Sequence, residues 1–185
     1  MTADAFVANA LANPVNAELI GRLRALQLRQ CHLAAGCLFQ ATWNRASGQS
    51  AGWGVKDYDV FYFDDRDLSW EAEDAVIARV QAAVADLGVQ VEVRNQARVH
   101  LWYRERFGDD YPQLRSSRDG IDRYLVACTC VAIDVADGTL YAPYGLEELG
   151  QGVLRMNPLM PQREMFLRKA MNYQARWPWL RIAEG

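Results

Sequence analysis

Two aspartates two residues apart, Asp57 and Asp59, sit inside the most strand-like run of the chain, residues 55–63. That run reads Val-Lys-Asp-Tyr-Asp-Val-Phe-Tyr-Phe, aromatic and β-branched with no breaker. Alternate side chains of a strand share a face, so both carboxylates point the same way, with Cα atoms roughly 6–7 Å apart. Two ionised carboxylates in apolar surroundings repel each other and lose hydration. A bound divalent cation relieves both costs. Hard ions such as Mg²⁺ accept this oxygen-only ligation and complete their shell with phosphate oxygens. The plainer alternative is an edge-strand pair facing water or bonded to arginines. Asp-x-Asp pairs also occur in sugar transferases and phosphohydrolases.

The flanking sequence narrows the choice. Residues 31–34 read as a short strand, Gly36 follows, and 37–45 reads as a helix. A glycine there lets backbone approach a phosphate, and a helix start offers free N–H groups and a positive dipole. A tight turn is the alternative. Residues 46–54 are loop. Beyond the acidic strand and an acidic turn at 64–67, Ser69 can cap a helix whose buried stripe is Val76, Ile77, Val80, Val84 and Leu87, stopped by Gly88. Residues 89–94 then alternate as a strand: Val89, Val91 and Val93 face one way, Gln90, Glu92 and Arg94 the other. A neighbouring strand of this kind brings Glu92 to the same cations; a surface glutamate paired with Arg94 is the alternative.

Elsewhere, residues 3–12 read as a helix broken at Asn13-Pro14, and Asn16 as the cap of a second helix running to about 28. Helices are expected at about 97–107, 119–127 and 162–176, the last ended by Trp177-Pro178, with a short helical turn at 145–149. Segments 130–135 and 140–142 read as a hairpin closed at Asp137-Gly138. The pattern predicts an α+β fold: a mixed β-sheet flanked by helices, with N-terminal helices and a C-terminal helical extension. With 185 residues, 51% of them hydrophobic, the chain suits a single domain with a core at about 15–135 and an extension at about 136–185.

A net charge of −3 argues against nonspecific nucleic-acid binding. There is no membrane-spanning stretch, and residues 1–12 lack the basic start of a secretory leader, so a cytoplasmic location is expected. The four cysteines are then thiols. Cys31, Cys37 and His32 fit no common zinc spacing, and the cysteines read as small buried residues on strands. His32 and His100 read as hydrogen-bonded core or surface histidines.

Three acids on adjacent strands beside a glycine-opened helix form the constellation for metal-assisted nucleotidyl transfer. Two ions, Mg²⁺ or Mn²⁺, are expected. One would orient a nucleoside triphosphate; the other would lower the pKa of the attacking hydroxyl. Asp57 and Asp59 would bridge them, and Glu92 would ligate the ion nearest the nucleophile or act as base. Lys56 and Arg94 can neutralise phosphate or be ordinary solvated cations. Asn95 and Gln96 can reach ribose or base, with helix capping the alternative for Asn95. One of the six tryptophans can stack on a base.

These residues resemble a bacterial family of nucleotidyltransferase-like proteins within the polymerase-β-like nucleotidyltransferase superfamily. The resemblance rests on Gly54 to Asp65, on Leu68 to Asp74, and on Ala35-Gly36-Cys37 with Trp43-Asn44. It continues through Val91 to Tyr103, Tyr141 to Leu149, Arg155 to Pro158, Lys169 and Trp177-Pro178-Trp179, from about Pro14 to Ile182. It implies that Gly36 and Cys37 stand at the superfamily's phosphate-facing turn, that Asp57 and Asp59 are its two metal-binding acids, and that Glu92 is its third. Cys37 departs from the usual small or hydroxyl residue, the gap from Cys37 to Asp57 is longer than usual, and Glu replaces Asp at 92. The implied acceptor is a small molecule, a protein side chain or an RNA end, the last least favoured by the acidic charge. Cys37 leaves open a nucleotide-binding or regulatory module with weak or no turnover. A phosphohydrolase is less favoured, since no histidine–aspartate cluster accompanies the pair.

Overall fold

Asn13, not Asn16, starts the second helix. In the computed structural model, which describes residues 1–183, helix α1 (Ala3–Leu11) is capped by Thr2 and helix α2 (Pro14–Leu26) by Asn13. Pro14 occupies the first helical position, where a missing N–H costs nothing. Asn16 is buried, and its Nδ2 donates to the carbonyls of Ala10 and Cys37 at 2.8 Å each. It therefore ties α1 to the first turn of α3 (Gly36–Ala46).

The remaining elements are β1 (His32–Ala34), β2 (Asp57–Tyr62), α4 (Trp70–Val84), β3 (Gln90–Asn95), α5 (Val99–Phe107) and α6 (Ser117–Ile121). There follow β4 (Ala132–Asp134), β5 (Leu140–Tyr141), α7 (Glu147–Gln151), β6 (Val153–Leu154), α8 (Arg163–Arg176) and β7 (Arg181–Ile182). The main sheet has the order β3-β2-β1-β4-β5. Only the β2–β3 pair in it is parallel, and α4 supplies the crossover that such a pair requires. Ser69 caps α4, accepting from the Ala72 amide, and Gly88 turns the chain into β3 at a φ of +64°. Strands β6 and β7 form a separate parallel pair. The expected mixed α+β sheet flanked by helices is what the chain adopts.

The helix expected at 119–127 is a correction. Helix α6 ends at Ile121, and residues 127–129 form one tight 3₁₀ turn. The backbone between them is recruited by a distant segment: the Ala127 amide donates to the Arg155 carbonyl and the Asn157 amide to that of Leu125. Such a tertiary partner overrides local helical preference. Strand β2 starts at Asp57, two residues later than expected. All four cysteines are buried free thiols; Cys37 lies in α3, within the helix expected at 37–45, and none of the four lies within a strand.

Helices α2 and α4 pack one face of the sheet, and a smaller cluster of Ala34, Ile121, Cys130 and Ala132 covers the β1–β4 end of the other. Leu33, Tyr58, Val60, Tyr62, Val91 and Val93 are buried with Leu19 and Leu23 of α2 and Val80 and Val84 of α4. The other face carries Ala34, Asp57, Asp59, Phe61, Glu92 and Arg94, which follows from the register Ala34↔Asp59↔Glu92 and Phe61↔Arg94. An aromatic clamp sets α8 over part of that face. Trp43 of α3 meets Tyr173 and Trp177 edge-on, with ring centroids 5.2 Å apart in each case. Trp177 is fully buried, and its Nε1 donates to Asn44 Oδ1 at 2.9 Å. The clamp joins two ends of the sequence, so cationic residues of the extension come to lie near the acids of β2.

Candidate active site

A cleft of about 500 Å³ opens on the second face of the sheet. Asp57 and Asp59 lie on its floor, with Gly36 and Lys56 beside them and Phe61 and Arg94 further along. The wall opposite is α8, which contributes Lys169, Asn172 and Arg176. The far end is aromatic, built from Trp102, Tyr103 and Phe107 of α5 with Tyr111.

The floor is electrostatically unbalanced. Burial, then the negative charges of Asp57 and Glu92, push the Asp59 carboxyl up to about 7, against the opposing pull of Lys169 and Arg94. The ion pairs of the described residues lie elsewhere, Arg22–Asp86, Arg98–Glu73 and Arg155–Glu148 among them. Ala34, whose Cα is the register partner of Asp59, offers it no polar side-chain partner.

Glu92 stands directly across the ladder from Asp59, on the same face. Its carboxylate adds to the field at Asp59 but does not line the cleft, and its Oε1 accepts from Gln90 Nε2 at 3.3 Å. Among the described residues, no three His, Cys, Asp or Glu side chains are gathered as a ready-made metal cage. Two carboxylates are nevertheless a sufficient protein contribution for Mg²⁺, which takes its other ligands from water and substrate phosphate. The charge-crowded Asp59, with no ion pair among the described residues, has the donor chemistry such an ion needs.

The glycine-opened helix is present but built in its own way. The residue ahead of α3 is Ala35, held at a φ of +62°, a conformation that L-residues rarely adopt outside constrained sites. It makes no side-chain cap bond, so the first-turn amides of α3 have no side-chain acceptor. Cys37 is fully buried and faces inward: its Sγ donates to the Ala34 carbonyl at 3.3 Å, and burial pushes the thiol well above its usual range. Of the pair, Gly36 alone lines the cleft.

Asn95 does not reach the cleft. Its Oδ1 accepts from the amides of Asp64 and Ala97 at 3.0 and 3.1 Å, and its Nδ2 donates to the Asp64 carbonyl at 2.8 Å. With both ends of the amide engaged, the side chain caps the turn before α5. Gln96, by contrast, lines the cleft.

Several cleft residues lay outside the sequence reading. Arg176 Nη1 donates to Gln40 Oε1 and the Gly54 carbonyl at 3.2 and 3.3 Å, and its guanidinium lies 4.4 Å from the Trp177 ring centre. Its Nε is buried with no partner among the described residues, as are Arg123 Nε and the Tyr124 hydroxyl, whose residues also line the cleft. Burial and the charge of Asp59 raise the Tyr124 hydroxyl well above its usual range. Lys169, Asn172 and Arg176 recur at three and four residues along α8, a polar helical stripe that was a usable signal in the sequence.

A family model described as "Nucleotidyltransferase" matches residues 21–182. A solved structure reported as revealing a CCA-adding enzyme head domain superposes with a TM-score of 0.77 at 24% identity, covering 100% of this chain and 97% of that one. A CCA-adding enzyme in complex with CTP superposes with a TM-score of 0.59 at 12% identity, covering 100% of this chain but 44% of that one. Both likenesses are likenesses of fold. No curated protein matches the chain. No helix of the described residues is long and apolar enough to cross a membrane.

Proposed function

The chain belongs to a nucleotidyltransferase family, and on that premise we propose that it transfers a nucleoside monophosphate from a nucleoside triphosphate to a hydroxyl of an acceptor, with release of pyrophosphate. The observation that carries this reading is Asp59: a carboxyl on a cleft floor, crowded by Asp57 and Glu92 and raised to about 7, is a site that a divalent cation would relieve.

Asp57 and Asp59 would hold the cations, Mg²⁺ or Mn²⁺, and two ions with Glu92 as further ligand match three acids on neighbouring strands. Bound there, the metal supplies charge neutralisation at the triphosphate and a lowered pKa for the attacking hydroxyl. The protein's own groups do the rest. Gly36 and the uncapped start of α3 offer backbone N–H donors to phosphate. Lys56, Lys169 and Arg176 neutralise phosphate charge from the sides. The acceptor oxygen bonds to the α-phosphorus as the bond to pyrophosphate breaks, and Glu92 takes the hydroxyl proton. Residues 15–135 form the catalytic core and 136–185 the extension whose α8 closes the cleft, together one domain. The buried thiols suit a reducing compartment such as the cytoplasm.

The second reading is a nucleotide-binding module that turns over nothing. Cys37 favours it, because a buried thiol bonded to Ala34 offers no side-chain donor to a phosphate. Incubation with α-labelled triphosphates, Mg²⁺ and cell extract separates the two. Label transfer lost in Asp57→Asn and Asp59→Asn supports the enzyme; triphosphate binding with no transfer supports the module.

A further inference from the structure

At the β3 edge of the sheet a second cavity, of about 400 Å³, is bounded by Trp70, Glu73, Arg94, Trp102, Glu105 and Arg106. Arg94 and Trp102 also line the first cleft, so the two hollows share a wall. Glu92 lies two residues before Arg94 on the same face of the same strand.

The cavity contains a costly feature that the fold alone does not use. Trp70 is 62% exposed, a large apolar surface left in water. It is not loose. The Arg98 guanidinium lies 4.4 Å from its ring centre, and Arg98 is buried, paired with buried Glu73 and donating through Nε to the Leu68 carbonyl at 3.0 Å. Glu73 is fixed in turn by the Asn95 amide, which donates to its Oε1 at 2.8 Å. A buried ion pair is an expensive way to stabilise a fold. Here it pins an indole against a fixed charge and leaves ring surface open to solvent, which is the form of a stacking platform. Glu73 is neutralised by Arg98, so Arg94 and Arg106 outweigh Glu105 and the cavity favours an anion.

Resting on the reading of the preceding subsection, we propose that this cavity is the acceptor subsite and that the acceptor is a ribonucleotide. Its base stacks on Trp70, its phosphate meets Arg106 and Arg94, and its ribose hydroxyl is presented toward Glu92 at the sheet edge. The ribose oxygen bonds to the α-phosphorus of the triphosphate in the adjoining cleft, pyrophosphate leaves, and the proton passes to the Glu92 carboxylate. Glu92 lines neither hollow and stands on β3 two residues before Arg94, which both hollows share.

The chemistry is shared by a free nucleotide and by the 3′ end of a strand. The test fills the first cleft with a non-hydrolysable triphosphate and Mg²⁺, then titrates nucleoside monophosphates in one arm and a trinucleotide with a free 3′ hydroxyl in the other. Calorimetry is expected to show binding in at least one arm. Trp70→Ala should weaken it by about tenfold, the loss of one base–aromatic stack, with Trp70→Phe retaining most of the affinity and neither variant altering affinity for the triphosphate. Equal affinity in the two arms identifies a free nucleotide, and tighter trinucleotide binding a strand end. If the filled protein binds neither probe, or Trp70→Ala binds as the wild type does, the subsite is refuted while the proposed function stands. If the triphosphate analogue itself fails to bind, both fall together.

Discussion

Asp59 and Glu92 face each other across the parallel β2–β3 ladder, partners in register on the face of the sheet that carries the cleft. The relationship depends on α4, whose crossover makes the two strands parallel, and on Gly88, whose left-handed turn begins β3 in the register that aligns residue 92 with residue 59. A slip of one residue in either strand would turn one of the acids into the core.

The raised Asp59 carboxyl makes stability depend on pH in a definite direction. Its folded value of about 7 lies above the unfolded 3.8, so the metal-free folded protein holds this proton more tightly than the unfolded chain. The stability it contributes is complete below about pH 4 and lost as pH rises through 7. Denaturant titrations from about pH 4.5 to 8 should show wild type losing ~1–2 kcal/mol relative to Asp59→Asn, a figure discounted for the carboxyl's partial exposure.

Lys169 projects from an exposed position on α8 into the cleft and feels the charge of Asp59. Lys169→Ala should lower triphosphate affinity by about tenfold, the scale of one charge-assisted contact. Nucleoside affinity and the denaturation midpoint should stay within error. Calorimetry with triphosphate and with nucleoside checks the difference.

Asn44 is a structural hub behind the acids. Its Oδ1 accepts from Trp177, and its Nδ2 donates to the carbonyls of Ala51 and Trp53, at 3.1 and 2.9 Å, in the loop leading to Asp57. Asn44→Ala leaves the buried indole N–H unpaired and the loop untied. Urea denaturation should register a loss of ~2–3 kcal/mol.

Glu73→Ala isolates the Arg98 guanidinium in the interior. The expected loss is ~3–5 kcal/mol, again by urea denaturation. Circular dichroism of the folded variant should retain the native helical signal, because the side chain removed makes no backbone bond of α4.

Local rules carried much of this architecture into view. The alternation of Val89, Val91 and Val93 against Glu92 and Arg94, the Ser69 cap and the Asp137-Gly138 hairpin each depend on residues close in sequence, and each appears as read. Asn13-Pro14 reads as a break between helices, yet Asn13 caps α2 and Pro14 opens it, because proline suits a first helical turn. The clustering of Asp57 with Asp59 followed from strand periodicity. The cationic wall did not, because Lys169 and Arg176 come to the acids through the packing of Trp177 on Trp43, a contact between segments far apart in sequence. Asn95 was legible as a cap, but its bonds to Asp64, which remove it from the cleft, depend on how β2 and β3 pair.

If Asp57, Asp59 and Glu92 act together on shared cations, each must contribute to binding them. Electron paramagnetic resonance of free Mn²⁺, titrated in the presence of triphosphate, measures this on wild type, Asp59→Asn and Glu92→Gln. Tight ternary binding is expected in wild type, at least tenfold weaker binding in Asp59→Asn and a smaller loss in Glu92→Gln. Equal Mn²⁺ binding by all three proteins would rule out a shared cation site.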